Sequence, residues 1–259
     1  MGNITWSKTY EGGNGGPLIQ TNDGGYAVAG FTGIFGSGGW DFLLIKVDNT
    51  GNLLWAKTYG NPSGTDDSPV SMQQTTDGGY IITGLTNGTG AGDYDMYLVK
   101  TDAKGNLLWS KTYGGNLFDG ASAVEQITGG GFILSGIANG GFSAGKIVLI
   151  KTDNNGNVVW SRLYGGGKEA YSYAHQSKDG GYIIVSETSV FGSGSSDIYL
   201  IKTDSNGNSG CHETSFAPTV TIPATQVASP SPRMYTGGTA FSPSFNVGTG
   251  GKESTLCYK

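Results

Sequence analysis

Three acids, Asp67, Asp119 and Glu169, recur at matching points of the chain, with Gly13 in the fourth such place. Each is followed seven residues on by a glutamine: Gln74, Gln126 and Gln176, with Gln20 after Gly13. Carboxylates gathered from several repeats can hold a cation or polar ligand, and two readings are open for these. They bind such a ligand at the mouth of a channel, or they stand solvated at its rim while the glutamine amides satisfy backbone groups between repeats. A second series, Asp41, Asp95 and Asp197, has Lys146 in the remaining place. Short acids at the entrance of a strand most often bond loop N–H groups, so these are read as loop caps. Asp48, Asp102, Asp153 and Asp204 lie in D-x-x-G-N turns. They lack the alternating carboxylates and bidentate glutamate of a calcium loop and are read as turn caps.

Nucleophilic chemistry finds few partners. Of two histidines, His175 stands alone among the repeats and His212 is adjacent to Cys211, an arrangement that makes no triad. Zinc would need three or four His or Cys ligands. The reading is therefore no catalytic residue, no metal and no cofactor. Aromatic rings offer more. Trp40, Phe35, Tyr94, Phe142 and Phe191 fall in Gly/Ser-rich loops, where exposed rings can recognise a ligand, sugars included. Trp6, Trp55, Trp109 and Trp160 share one repeat position and are read as packing between sheets.

What must hold these residues is a repeat. The four tryptophans lie 49, 54 and 51 residues apart, and NDGGYAVAGFT (22–32) returns as TDGGYIITGLT, TGGGFILSGIA and KDGGYIIVSET. DFLLIKVD, DMYLVKTD, KIVLIKTD and DIYLIKTD keep the same beat. Such a period built of short β-rich stretches signals a repeat array. Each unit reads as four strands, and 47 glycines oppose any helix. The expected fold is all-β: a four-bladed β-propeller with repeats at 11–59, 60–113, 114–164 and 165–208. The last unit lacks a Trp strand, and NITWSKTY (3–10) is expected to supply it and close the ring. A five-bladed ring using the tail is the alternative.

The DGGY stretches and the D-x-x-G-N-x-x-W hairpins resemble the propeller repeats of secreted bacterial and archaeal proteins. The hairpin is also similar to that of quinoprotein-dehydrogenase and kelch-like blades. The resemblance spans residues 4–208, implies the propeller fold and a secreted or cell-surface role, and carries over no site.

Residues 209–259 differ in composition. Five of the eight prolines lie there, at Pro218, Pro223, Pro230, Pro232 and Pro243. Apolar residues between them are expected to lay the segment as extended strands on the body or on another subunit. Cys211 and Cys257 bracket it. A bridge between them would close a loop of about 46 residues, worth about 4 kcal/mol, and would fit an oxidising, extracytoplasmic setting. A net charge of −5 with two arginines argues against nucleic acid, and no apolar run reaches the roughly 18 residues of a spanning helix. The expectation is a non-enzymatic extracellular or cell-surface protein, its leader not in this chain, acting by self-association or by binding another surface protein. A lectin-like module using the aromatic loops is the alternative.

Overall fold

The computed structural model describes residues 5–36, 38–61, 65–141, 145–192 and 195–236. No helix occurs among them; nineteen strands do. A short strand, β1 (Lys8–Tyr10), precedes the first unit, β2 (Asn14–Gln20), β3 (Tyr26–Thr32), β4 (Asp41–Val47) and β5 (Leu53–Gly60). The second unit is β6 (Asp67–Gln74), β7 (Tyr80–Thr86), β8 (Asp95–Thr101) and β9 (Leu107–Gly114). The third is β10 (Gly120–Gln126), β11 (Phe132–Ala138), β12 (Gly145–Thr152) and the first part of β13 (Val158–Gln176). That long strand runs on as the first strand of the fourth unit, which adds β14 (Tyr182–Thr188) and β15 (Asp197–Thr203). Within the units, sequence neighbours pair antiparallel, as the short hairpins require.

The hairpin turns explain why the motif repeats. Gly51, Gly105, Gly156 and Gly207 hold φ of 72–79°, open to glycine without strain. Asp48 Oδ1 accepts the N–H groups of Asn52 and Thr50, both at 2.8 Å, which keeps its carboxyl far below the usual range. Asp102, Asp153 and Asp204 make the same two-amide clamp. Against each turn packs the Trp strand of the preceding unit. Tyr59 Oη donates to Gly105 O (2.6 Å), Tyr113 to Gly156 (2.7 Å) and Tyr164 to Gly207 (2.6 Å). Trp55, Trp109 and Trp160 lie over the same glycines and meet Tyr80, Phe132 and Tyr182 edge-on.

The third strands of the first three units are apolar on both faces and covered on both. Residues alternate in direction: Phe42 and Leu44 pack with Tyr80, Ile82, Tyr97 and Val99 of the next unit, whereas Leu43 and Ile45 belong to a separate cluster. Met96 and Leu98, then Ile147 and Leu149, repeat the forward contacts. The glutamine expectation holds at three junctions. Gln74 Oε1 accepts Asn22 N (2.9 Å), Gln126 accepts Thr76 N and Gln176 accepts Thr128 N (both 2.8 Å).

The ring is where structure and expectation part. β1 docks on the first unit as a preceding Trp strand would, with Tyr10 Oη on Gly51 O (2.6 Å) and Trp6 over Gly51. It does not pair with β15. Its partner is β19 (Met234–Thr236), the last of four tail strands after β16 (Glu213–Ser215), β17 (Thr219–Thr221) and β18 (Gln226–Ala228). The sheets are therefore not closed into a ring, and the described tail forms no fifth unit. It runs back along the array, adding one strand to the outer edge of each Trp strand. Glu213 faces Tyr164, Val220 faces Tyr113, Val227 faces Tyr59 and Met234 faces Tyr10. Those four residues are spaced by seven, so a seven-residue beat in the tail answers the longer beat of the body. Pro218, Pro223 and Pro230 fall between the strands, where a missing N–H breaks no ladder. Covering four edges in this way leaves outer strands of only three residues, shorter templates for stray pairing.

Candidate functional site

Asp67, Asp119 and Glu169 do not stand at a solvated rim. They are wholly buried at the junctions between units, and Asp41 and Asp95 are buried beside them. Glu169 turns back onto its own loop, where it accepts N–H groups of Gly166 (2.9 Å), Gly167 (2.8 Å) and Lys168 (3.0 Å), and the Thr188 hydroxyl at 3.2 Å. Asp119 accepts Gly115 N at 2.6 Å and Asn139 N at 3.1 Å. At Glu169 and Asp119 the carboxylate oxygens bond backbone amides, mostly of their own loops, so these two acids act as loop clamps.

Two junctions bring a carboxylate from each side together. A Cβ on Gly114 would overlap Asp95 Oδ1 and lie 3.1 Å from Asp119 Oδ2, so both acids converge on that glycine. Asp41 occupies the same place beside Gly60, with Asp67 as its neighbour. Burial pushes Asp67 up to about 7, against the opposing pull of the Thr86 hydroxyl, and the Asp41 charge adds to the rise. Burial likewise lifts Asp95 to about 6, with Asp119 contributing, and raises Asp119 itself. At the third junction Lys146 replaces the first acid, and Glu169 stands without a carboxylate partner from β12. Among the described residues no three His, Cys, Asp or Glu side chains are grouped to hold a metal ion. The Asp95–Asp119 pair fastens loops, Asp95 accepting Gly92 N at 3.4 Å beside the two amides held by Asp119.

The aromatic candidates divide. Trp40 is about half exposed (48%), rests on Phe31 with centroids 4.9 Å apart, and donates its backbone N–H to Asp66 Oδ1 at 3.1 Å. Its carbonyl accepts Asp67 N, as Tyr94 O accepts Asp119 N (2.6 and 2.7 Å). Tyr94 packs on Phe118 at 5.6 Å. Trp40 and Tyr94, with Asp66, Ser68 and Leu85, line one cavity of about 240 Å³. Phe35 lies instead over Gly12, and Phe191 packs on Tyr199 (5.2 Å) and His212 (4.9 Å), sealing the fourth unit onto the start of the tail. Phe142 lies outside the described residues, as does Cys257; Cys211 is exposed. His175 pairs with Glu125 across 2.8 Å at the surface.

Sequence reasoning passed over a third feature. The forward face of the fourth unit is bare: Ile198 is 84% and Leu200 63% exposed, beside exposed Tyr173 and Val185. Their counterparts Phe42 and Leu44, and Met96 and Leu98, are buried. Tyr173, Val185 and Ile198, with Tyr171 and Glu187, frame a concavity of about 340 Å³. The motif DIYLIKTD matches the others, so only the missing neighbour distinguishes it. No protein-family model matches this chain, and no curated protein matches it.

Proposed function

We propose that the chain is a non-enzymatic β-propeller-type module that works by protein–protein assembly, in an extracellular or cell-surface setting. The observation that carries the reading is the bare forward face of the last unit. A strand whose equivalents bury Phe42, Leu44, Met96 and Leu98 exposes Ile198 and Leu200 to water, an apolar surface of the kind that marks an interaction site. The chain as a whole is low in charge, with 14% charged residues. The extracytoplasmic setting rests on the repeat resemblance and on a Cys211–Cys257 bridge, which mass mapping of the unreduced chain tests. The assembly reading is tested by the mass of the chain over a concentration series. A mass that rises with concentration, and is held at one chain by Leu200→Asp, is expected.

A second reading draws on the Trp40 cavity. An exposed indole lining one cavity with Tyr94, Asp66 and Ser68 suits a sugar ring, which stacks on an aromatic face and bonds the polar groups. A glycan array is expected to show binding that Trp40→Ala lowers by roughly 5-fold or more, since truncating a central ring in a site costs over about 1 kcal/mol. An array on which unaltered protein binds nothing ends this reading.

A further inference from the structure

Two strands of the described array, β1 (the lone Trp strand) and β15 (the last third strand), each lack a partner that their counterparts in the other units have, and the two edges match. β5, β9 and the first part of β13 are flanked on both sides, by a third strand within and a tail strand without. β1 has its outer partner, β19, in the same register, since Met234 faces Tyr10 as Val227 faces Tyr59 and Val220 faces Tyr113. Among the described residues it has no inner partner. β15 has the converse lack: it pairs with β14 and, among the described residues, has no strand on its other side. The fourth unit thus lacks a Trp strand, and β1 is a Trp strand without a third strand.

We infer that β15 of one chain pairs with β1 of a second copy, so that the second copy's Trp strand completes the fourth unit. The inference rests on the assembly reading and specifies its partner and register. The pairing of third strand with Trp strand in three units fixes that register: Phe42 faces Tyr59, Met96 faces Tyr113 and Ile147 faces Tyr164. Leu44, Leu98 and Leu149 face Lys57, Lys111 and Arg162. By the same rule Ile198 faces Tyr10 of the second copy, Leu200 faces Lys8 and Lys202 faces Trp6. The docking continues an interface the chain already makes three times. The second copy's Leu43 and Ile45 side would approach the bare Val185, Ile198 and Leu200. Trp6 and Tyr10 are already seated on its Gly51 turn.

A second copy suits the geometry better than the chain's own β1. Within one chain β1 and β15 are not paired with each other while the units between them are packed together, so pairing them requires those junctions to shift. A second chain meets the edge with those junctions as they stand. Reciprocal pairing of two chains gives a closed two-fold dimer, and one-way pairing gives a growing filament. Either leaves fewer bare edges.

The test is a cross-strand cysteine pair, Lys8→Cys with Leu200→Cys, in the full chain carrying Cys211→Ser and Cys257→Ser. Facing residues on paired strands have Cβ atoms about 5 Å apart, within reach of oxidation with slight adjustment. Mild oxidation is expected to give reducible dimers or longer species, in a fraction that rises with concentration and falls to the single-cysteine background when Ile198→Asp is added. A cross-link confined within single chains, found by peptide mapping of monomers, overturns the pairing in favour of self-closure. Association of the chain without a disulfide between the two introduced thiols overturns this register and leaves the assembly reading standing. No association at any concentration removes both. Because Leu200 and Ile198 are exposed in the single chain, these variants retain the fold, which circular dichroism checks.

Discussion

Leu98→Ala is expected to lower the unfolding free energy by about 2–5 kcal/mol, the range for emptying a fully packed leucine site. Leu200→Ala, at the matching position of the fourth unit, is expected to change it by less than about 0.5 kcal/mol in dilute solution. The residue type, strand and motif are the same. What differs is the neighbour: Leu98 is wholly buried against Val124, Leu134 and Val148 of the third unit, whereas Leu200 faces water. The loss at Leu98 combines removed apolar contact with a cavity that rigid strands on both sides cannot close. Urea midpoints below the concentration at which the chain associates measure both. Equal losses at the two sites would mean that the forward face of the fourth unit is covered in the isolated chain.

The buried carboxyl pairs give the second large effect, a stability that falls as pH rises toward neutrality. Asp67 has its pKa raised from 3.8 to about 7 on folding, so between those values the folded chain binds the proton more tightly than the unfolded one. Its contribution is present in full below pH 3.8 and is lost as pH rises through about 7. The gap amounts to about 4 kcal/mol by about pH 8. Asp95, raised to about 6, and Asp119 act in the same direction. The surface turns act oppositely. Asp23 is lowered to about 2 by the Thr21 hydroxyl and the Lys46 ammonium, so its contribution is held above pH 3.8 and lost as pH falls through about 2. The melting temperature is therefore expected to peak near about pH 4 and to decline from there to about pH 7, levelling off above it. Asp67→Asn, which keeps the shape and removes the charge, should flatten that decline and raise stability at about pH 8. A flat profile for the unaltered chain from about pH 5 to 8 contradicts the assignment.

Much of this architecture could be read from residue order because each unit repeats its own instructions. The D-x-x-G-N turns announce a glycine at positive φ with an aspartate clamp, and every one is built so. Fourfold tryptophans and glutamines pointed to bonding between units, and the rings and amides serve there. The Trp-to-Tyr spacing of four, which sets the Tyr–Gly bonds, was visible as well but carries no chemistry until the turn it meets is known. The acids were misplaced, because a residue beginning a strand looks solvated until its loop folds back over it. Ring closure was misjudged for a related reason. A lone Trp strand and a lone third strand are complementary in sequence, but sequence does not say whether they belong to one molecule. The tail held a signal after all, in Glu213, Val220, Val227 and Met234, whose spacing of seven becomes meaningful only beside the four strand edges they cover. The bare face was hidden because DIYLIKTD is written for a covered strand.

The central claim is that this covered-strand motif waits for a neighbour. Sedimentation of the full chain over a wide concentration range tests it most directly. The account predicts a mass that climbs from one chain to two or more, and a Leu200→Asp variant that stays at one chain throughout with unchanged circular dichroism. A single-chain mass at every concentration, identical for the unaltered protein and the variant, would contradict it.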